Sequence, residues 1–332
     1  MRCGERPRAK RWVAVLAVAA AVSAAAGEEP GGQGPLAARD AASRLALGEA
    51  GLERLEVEAA GRRLVLWRGG GGPDLVLLHG SGQQAGGWSA VAPGLSADFT
   101  VHALDLPGHG DSEPAEGPLP MADIVAGVEA YLDSLEAPAI LVGNSLGAWL
   151  ATLRAHRHPE RVARVVLVNG GALLNIPPAG VTLTPADREE ARRAMAAIRD
   201  PASPALSDEV LDDIVRRGRS GPTPRMMQDL PSLMAHLLDG RLGEVTVPVD
   251  LLWGASDRLM PLAYARRMEA ELPRARLTVL EGCGHVPMNE CPERFLVALR
   301  AVLALSPPAP VEEPTAATAA DGGTSEETEP AP

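Results

Sequence analysis

A doubly wound α/β fold with a mostly parallel sheet is predicted by three features of the sequence. Short apolar runs alternate with segments of helical spacing, as strand–helix units require. The central runs are apolar on both faces, as parallel strands covered on both sides must be. One long interval without strands interrupts this rhythm late in the chain, between Asn169 and Val249. The chain has 332 residues and is 46% hydrophobic, enough for one large core. Aromatic residues make up only 3%, so Ala, Leu and Val must fill the interior.

The first 26 residues read as a signal peptide. Arg2, Arg6, Arg8, Lys10 and Arg11 form a basic start, an apolar stretch follows over 12–26, and Ala24-Ala25-Ala26 before Gly27 fits a cleavage site. An uncleaved anchor is the alternative, although the apolar run falls short of the roughly 20 residues a span needs. Residues 27–51 are rich in Gly, Ala and Pro and read as a linker, with a short helix at most near 37–47. The globular part is expected over 52–305: a first core portion at 52–170, a helical cap at 171–247 and a second core portion at 248–305. From 306 to 332 the chain is a Pro-, Thr- and Glu-rich acidic tail, which cannot bury enough apolar surface to order itself.

Strands are expected at 55–59, 63–67, 75–79, 100–105, 139–143, 165–169, 249–254 and 276–281, and helices at 88–95, 121–135, 146–156, 261–271 and 292–304. The strand-free interval carries helical spacing at 185–198, 207–217 and 224–238 instead. It holds no Phe, Trp or Tyr but does hold Met195, Met226, Met227 and Met234, which suit an adaptable apolar surface. Such methionines are also ordinary packing residues. Net charge is -12 and no Lys/Arg-rich block stands in the body, so nucleic acid is excluded as a partner, and a membrane enters only through the N-terminal segment if it is retained. Oligomeric state is not legible.

The chemistry rests on residues at strand ends. Gly143-Asn144-Ser145-Leu146-Gly147 has the form G-x-S-x-G, follows an apolar run and opens a helix. There a serine sits on a strained tight turn, and small neighbours let strand and helix approach. Helix capping is the plainer alternative for Ser145. His79-Gly80-Ser81-Gly82 also follows a strand. The backbone N–H groups of Ser81 and Leu146 would meet an oxyanion, and His79 would brace the loop. Asp105 and His109, in a Pro-Gly-x-Gly turn, shape the base of the site without chemistry. Asp257 follows the run at 249–254 and His285 follows the last one, both on the side where open α/β sheets bind ligands. Asp250, inside the strand, suits the acid's role less well. Ser145 as nucleophile, Asp257 as orienting acid and His285 as base appear in the chain order expected of this chemistry on a doubly wound α/β fold. Gly80, Gly82, Trp88, Asn144, Met226, Met227 and Val286 are the expected pocket residues. Cys283 and Cys291 flank His285. Export permits a bridge, but its demanding geometry favours two unpaired thiols.

Taken together, His79-Gly80, Asp105 to Gly110, Gly143 to Gly147, Asp257 and Gly284-His285 resemble the α/β-hydrolase superfamily over about residues 55–305. The resemblance implies an eight-stranded, mostly parallel sheet with a cap after the sixth strand, and hydrolysis with no metal or organic cofactor. Serine at the elbow argues against the dehalogenase and epoxide hydrolase branches, which use Asp. A secreted carboxylesterase or lipase acting on a small-molecule ester is the first expectation. The loop from His79 to Trp88 is similar to that of meta-cleavage product hydrolases, which split a carbon–carbon bond. Those enzymes carry Trp after the catalytic His, where Val286 stands here. Acyl transfer and a non-catalytic binding module on the same fold are the remaining alternatives.

Overall fold

The structure, a computed structural model, describes residues 34–304 and residue 306. The signal-peptide reading of 1–26 and the tail from 307 lie outside the described residues. Eight strands form one sheet: β1 (Glu53–Ala59), β2 (Arg62–Gly70), β3 (Asp74–Leu78), β4 (Thr100–Leu104), β5 (Ala139–Asn144), β6 (Val162–Val168), β7 (Val249–Gly254) and β8 (Ala275–Leu280). Their order is β1-β2-β4-β3-β5-β6-β7-β8. The β1–β2 and β2–β4 pairs are antiparallel and every later pair is parallel.

Alternation along the central strands divides the core in two. Val76 and Leu78 of β3 face one hydrophobic cluster, while Leu75 and Leu77 face the other. Likewise Val165 and Leu167 of β6 enter the first cluster, and Val166 and Val168 the second. The first cluster is closed by α2 (Met121–Asp133), α3 (Leu146–Arg157) and α8 (Leu262–Glu271). The second is closed by α10 (Pro292–Ala304) and by tight turns at Ala85–Trp88 and Ala92–Gly94. An apolar run covered on both faces cannot alternate with polar residues, which is why these strands read as continuous in the sequence.

The cap lies between β6 and β7, as expected. It comprises α4 (Arg188–Ile198), α5 (Asp208–Ser220), α6 (Pro222–Met227) and α7 (Leu230–Met234). The first two start where side chains cap them: Asp187 accepts from the N–H of Glu190 at 2.8 Å, and Ser207 from that of Val210 at 3.4 Å. The Arg225 guanidinium donates to the Pro114, Ala115 and Gly117 carbonyls, and the Trp149 indole donates to His236 O at 2.7 Å. Cap and core are thereby joined.

Four expectations need correction. The linker reading of 27–51 needs correction over its described part: the short helix expected near 37–47 is present but longer, Gly34–Glu49 (α1), with Leu36 and Leu47 buried. Those two leucines bury apolar surface that the Gly/Ala-rich composition concealed. The helix expected at 88–95 is replaced by tight turns, since Pro93 lacks a donor and Gly94 is a poor helix former. The single helix expected at 224–238 is split, with Pro231 in the first turn of α7. Cys283 and Cys291 form a disulfide rather than two free thiols, their Cα atoms 6.0 Å apart. A short helix, α9 (Pro287–Glu290), folds the chain back between them and brings the sulfurs together.

Candidate active site

Ser145 stands between β5 and α3 with φ +53° and ψ -111°, a left-handed conformation rare for a residue with a Cβ. The surroundings hold it there. Its N–H donates to Val168 O at 3.1 Å. A Cβ on Gly147 would lie 2.0 Å from Leu78 O, so α3 can start here only with no side chain at that position. A Cβ on Gly170 would lie 2.6 Å from Ser145 Cα. The strain is thus over-determined by packing, as at functional turns. The N–H of Leu146, in the first turn of α3, has no intrahelical acceptor. Gly147 brings the start of α3 against Leu78 at the end of β3.

His285 is fully buried and its Nδ1 lies 2.6 Å from Asp257 Oδ2. The ring's other nitrogen, Nε2, is buried with no hydrogen-bond partner. If Nδ1 carries the proton shared with Asp257, Nε2 presents a bare lone pair, the form a base needs. Asp257 is itself fixed: Oδ1 accepts from the N–H groups of Leu259 and Met260, both at 2.9 Å, and Oδ2 accepts from Asn169 Nδ2 at 2.7 Å. Asn144, next to the serine, donates through Nδ2 to His285 O at 2.9 Å and to Val168 O at 3.0 Å. Three chain segments that are remote in sequence therefore meet at one edge of the sheet.

Asn169 and Gly170 were missed by sequence reasoning. Asn169 is fully buried with φ +48°, and its Oδ1 accepts from Gly254 N at 3.1 Å. The signal was available: an Asn-Gly-Gly run at the end of a parallel strand, with Asn tolerating the left-handed region. Glu290 was missed as well. Its carboxylate binds the N–H groups of Gly284 and Asp200 (2.8 Å for the latter), which ties the His285 loop to the cap. His285 N also donates to Ile198 O at 2.7 Å.

The residues denied chemistry are structural. His79 Nδ1 bonds Gly80 O at 2.7 Å, and its Nε2 accepts from Leu106 N at 3.0 Å. Burial pushes its pKa down to about 3, with His109 adding repulsion. His109 lies 5.4 Å from it and is pushed down to about 4 by burial. Asp105 accepts from Ala85 N at 2.6 Å and Asp111 N at 2.8 Å, and burial raises its pKa. Asp250, the competing acid, is held by Arg164 at 2.6 Å and by two nitrogens of Arg276.

The expected pocket residues fare less well. A cavity of about 340 Å³, lined by Ser81 and Gly82 among others, lies between the cap and α1. Of the expected pocket residues Gly82 lines it; Gly80, Trp88, Asn144, Met226, Met227 and Val286 do not, and neither do Ser145 and His285. Trp88 packs in the second core cluster with its ring 6.3 Å from Phe295. Its size, with so few aromatics available, is spent on the core. Met226 is buried in the first cluster, Met227 packs against it, and Val286 belongs to the second. Among the cap methionines, Met195 is the one at the cavity wall. Among the described residues no group of His, Cys, Asp and Glu has metal-binding spacing.

The parallel sheet, the strained serine turn and the cap after the sixth strand define an α/β-hydrolase fold. Residues 75–299 match the alpha/beta hydrolase family, and the chain belongs to it. It is a hydrolase of that fold. It is 34% identical over 254 residues to the pimeloyl-[acyl-carrier protein] methyl ester esterase of Aromatoleum aromaticum, covering 70% of this chain and 98% of that protein. It is 30% identical over 239 residues to a 2-hydroxy-6-oxononadienedioate/2-hydroxy-6-oxononatrienedioate hydrolase of Cupriavidus pinatubonensis, covering 65% and 82%. The crystal structure of a bacterial membrane phospholipase A matches with a TM-score of 0.69 at 27% identity, covering 80% of this chain and 91% of that one.

Proposed function

We propose that this hydrolase cleaves carboxylic esters through an acyl intermediate on Ser145. His285 Nε2 takes the hydroxyl proton as Ser145 Oγ attacks the carbonyl carbon, then delivers it to the leaving alcohol. Asp257 holds the imidazole in the required tautomer and stabilises the imidazolium. The N–H groups of Ser81 and Leu146 receive the oxyanion. Water activated by the same imidazole then releases the acid. The observation that carries this reading is the buried His285 ring, bonded to Asp257 on one side and unpartnered at Nε2, tied through Asn144 to a serine in a strained turn.

A fluorophosphonate probe should label Ser145 stoichiometrically, and activated esters should give a burst of alcohol if deacylation is slow. Absence of labelling in folded protein would remove the proposal. Carbon–carbon hydrolysis of ring-cleavage products is the second reading, favoured by the similar dienedioate hydrolase. Val286 and a cap without aromatic residues count against it. Turnover of a dienoate faster than of any ester would reverse the order.

Export is part of the proposal. The basic start, apolar stretch and Ala-rich site support it, and the Cys283–Cys291 bridge suits an oxidising compartment. Terminal sequencing of the mature protein should begin at Gly27; an intact first residue in the membrane fraction would mean an anchor instead.

A further inference from the structure

The last carbonyls of an α-helix have no donors within the helix, so a buried helix end must find them elsewhere. Helix α4 of the cap ends at Ile198, and both Ala197 and Ile198 are buried. Its last three carbonyls are taken by the two loops that carry Asp257 and His285. The Arg258 guanidinium donates to Ala196 O. The N–H groups of Arg258 and Leu259, which directly follow Asp257, donate to Ala197 O at 2.8 and 3.1 Å. The N–H of His285 donates to Ile198 O at 2.7 Å. The candidate acid and base, which leave the sheet after β7 and β8, are therefore both held by one helix end in the cap.

The approach is tight. A Cβ on Gly284 would lie 2.2 Å from Ile198 O, so the base loop docks only with no side chain there. Glu290 closes the junction from the other side. Its Oε2 accepts from Gly284 N, next to the base. Its Oε1 accepts from Asp200 N at 2.8 Å and from Ser203 Oγ, both in the cap. Asp200 in turn accepts from the hydroxyl of Ser256, which directly precedes Asp257. A carboxylate accepts on both sides and serves base loop and cap together. A glutamine cannot, because its amide nitrogen would face donors.

We propose that the end of α4 is a positioning element for the acid and the base, and that Glu290 is the positioning residue that locks the His285 loop onto it. The inference rests on the esterase reading above. The bonds of Glu290 reach Gly284, Asp200 and Ser203, so it acts on His285 through the chain. Its loss should alter proton transfer and not the hold on the ester.

The test compares full-length wild type with Glu290→Ala, Glu290→Gln, Ser203→Ala and the double variant Glu290→Ala/Ser203→Ala. p-Nitrophenyl butyrate is the substrate and the fluorophosphonate the label, well below each unfolding midpoint. Either Glu290 variant should lower kcat and the labelling rate about 10- to 100-fold, with KM within about twofold, as loss of hydrogen bonds to a charged group implies. Ser203→Ala removes one cap bond and should lower kcat about threefold, yet change nothing further in the Glu290→Ala background, where that bond is already gone. If Glu290→Ala does not fold, Glu290→Gln keeps the side-chain volume and decides the point. A lowered unfolding midpoint with kcat and labelling rate unchanged, or a change in KM alone, would overturn the proposal while the labelled wild type kept the esterase reading. A wild type that is not labelled at Ser145 would remove both.

Discussion

The sheet edge that carries Ser145, Asp257 and His285 and the chamber between cap and α1 are built on opposite principles. At the edge every group is buried and over-determined. Asp257 accepts three hydrogen bonds besides that of His285, and the serine turn is wedged among backbone atoms. At the chamber, apolar side chains from three separate elements meet, and partly exposed ion pairs tie them. Exposed pairs of this kind contribute at most about 1 kcal/mol each. The contrast teaches that the region proposed above to move a proton is held by many buried ties, while the other is joined by a few exposed ones that substitution could alter without disturbing the first.

The hardest test of that division is at the serine. If Ser145 is the nucleophile, as proposed, Ser145→Ala should lower kcat by about 10⁶-fold for every ester alike, since it would remove the nucleophile and not a substrate contact. Circular dichroism should be unchanged. If the loss differed strongly between short and long esters, the two regions would not be separable. Asn169→Ala sharpens the same point from behind the acid. It deletes a hydrogen bond to a charged group, worth about 1.5–3 kcal/mol, so kcat should fall about 10- to 100-fold with KM little changed. A KM effect alone would show that Asn169 shapes the pocket rather than positioning Asp257.

Much of this division was legible before the coordinates, and unevenly so. All eight strands could be placed because apolar runs are local signals, and Ser145, Asp257 and His285 could be singled out as candidates because the G-x-S-x-G turn and strand-end positions are local too. The chamber was not legible. Trp88 and Met226 looked like pocket residues from their chemistry, but both are spent on the core. The residues that do line the cavity include Ala37 and Leu36, which stand in a stretch whose composition resembles a linker. A helix with two buried leucines in four turns has a faint period, so a short helix near 37–47 could be expected but not its full extent; the surface it docks on stabilises the rest. The bridge between Cys283 and Cys291 depends on the intervening turn of α9, which spacing alone does not reveal.

The bridge offers a test midway between the regions, because it closes the segment that holds His285. Cys283→Ala/Cys291→Ala should cost roughly 2–3 kcal/mol of stability, the chain-entropy value for so short a loop. Urea denaturation would read it. The turn retains its tie to the cap through Glu290, so kcat should fall less than for Asn169→Ala. A larger loss of kcat than of stability would make the bridge part of the positioning machinery.

The smallest effect concerns His79 and His109, packed beneath the loop that carries Ser81. His79 cannot take a second proton without losing the bond from Leu106 N to its Nε2, and His109 is buried against it. Their folded pKa values, about 3 and about 4, lie below the usual value near 6.5. Above pH 6.5 neither the folded nor the unfolded chain binds these protons, so they contribute nothing to pH dependence. Below it the unfolded chain takes them up and the folded chain does not, so stability is lost as pH falls, until each folded pKa is reached. Each histidine then adds up to about 1.4 kcal/mol per pH unit to the slope. Asp105 works in the opposite direction, since burial makes its folded carboxyl the stronger proton binder. The contribution is therefore isolated by difference: His109→Asn should flatten the stability slope between pH 6 and 4.5 by about that amount relative to wild type. A slope unchanged by the substitution would mean that His109 binds its proton equally in the folded and the unfolded chain.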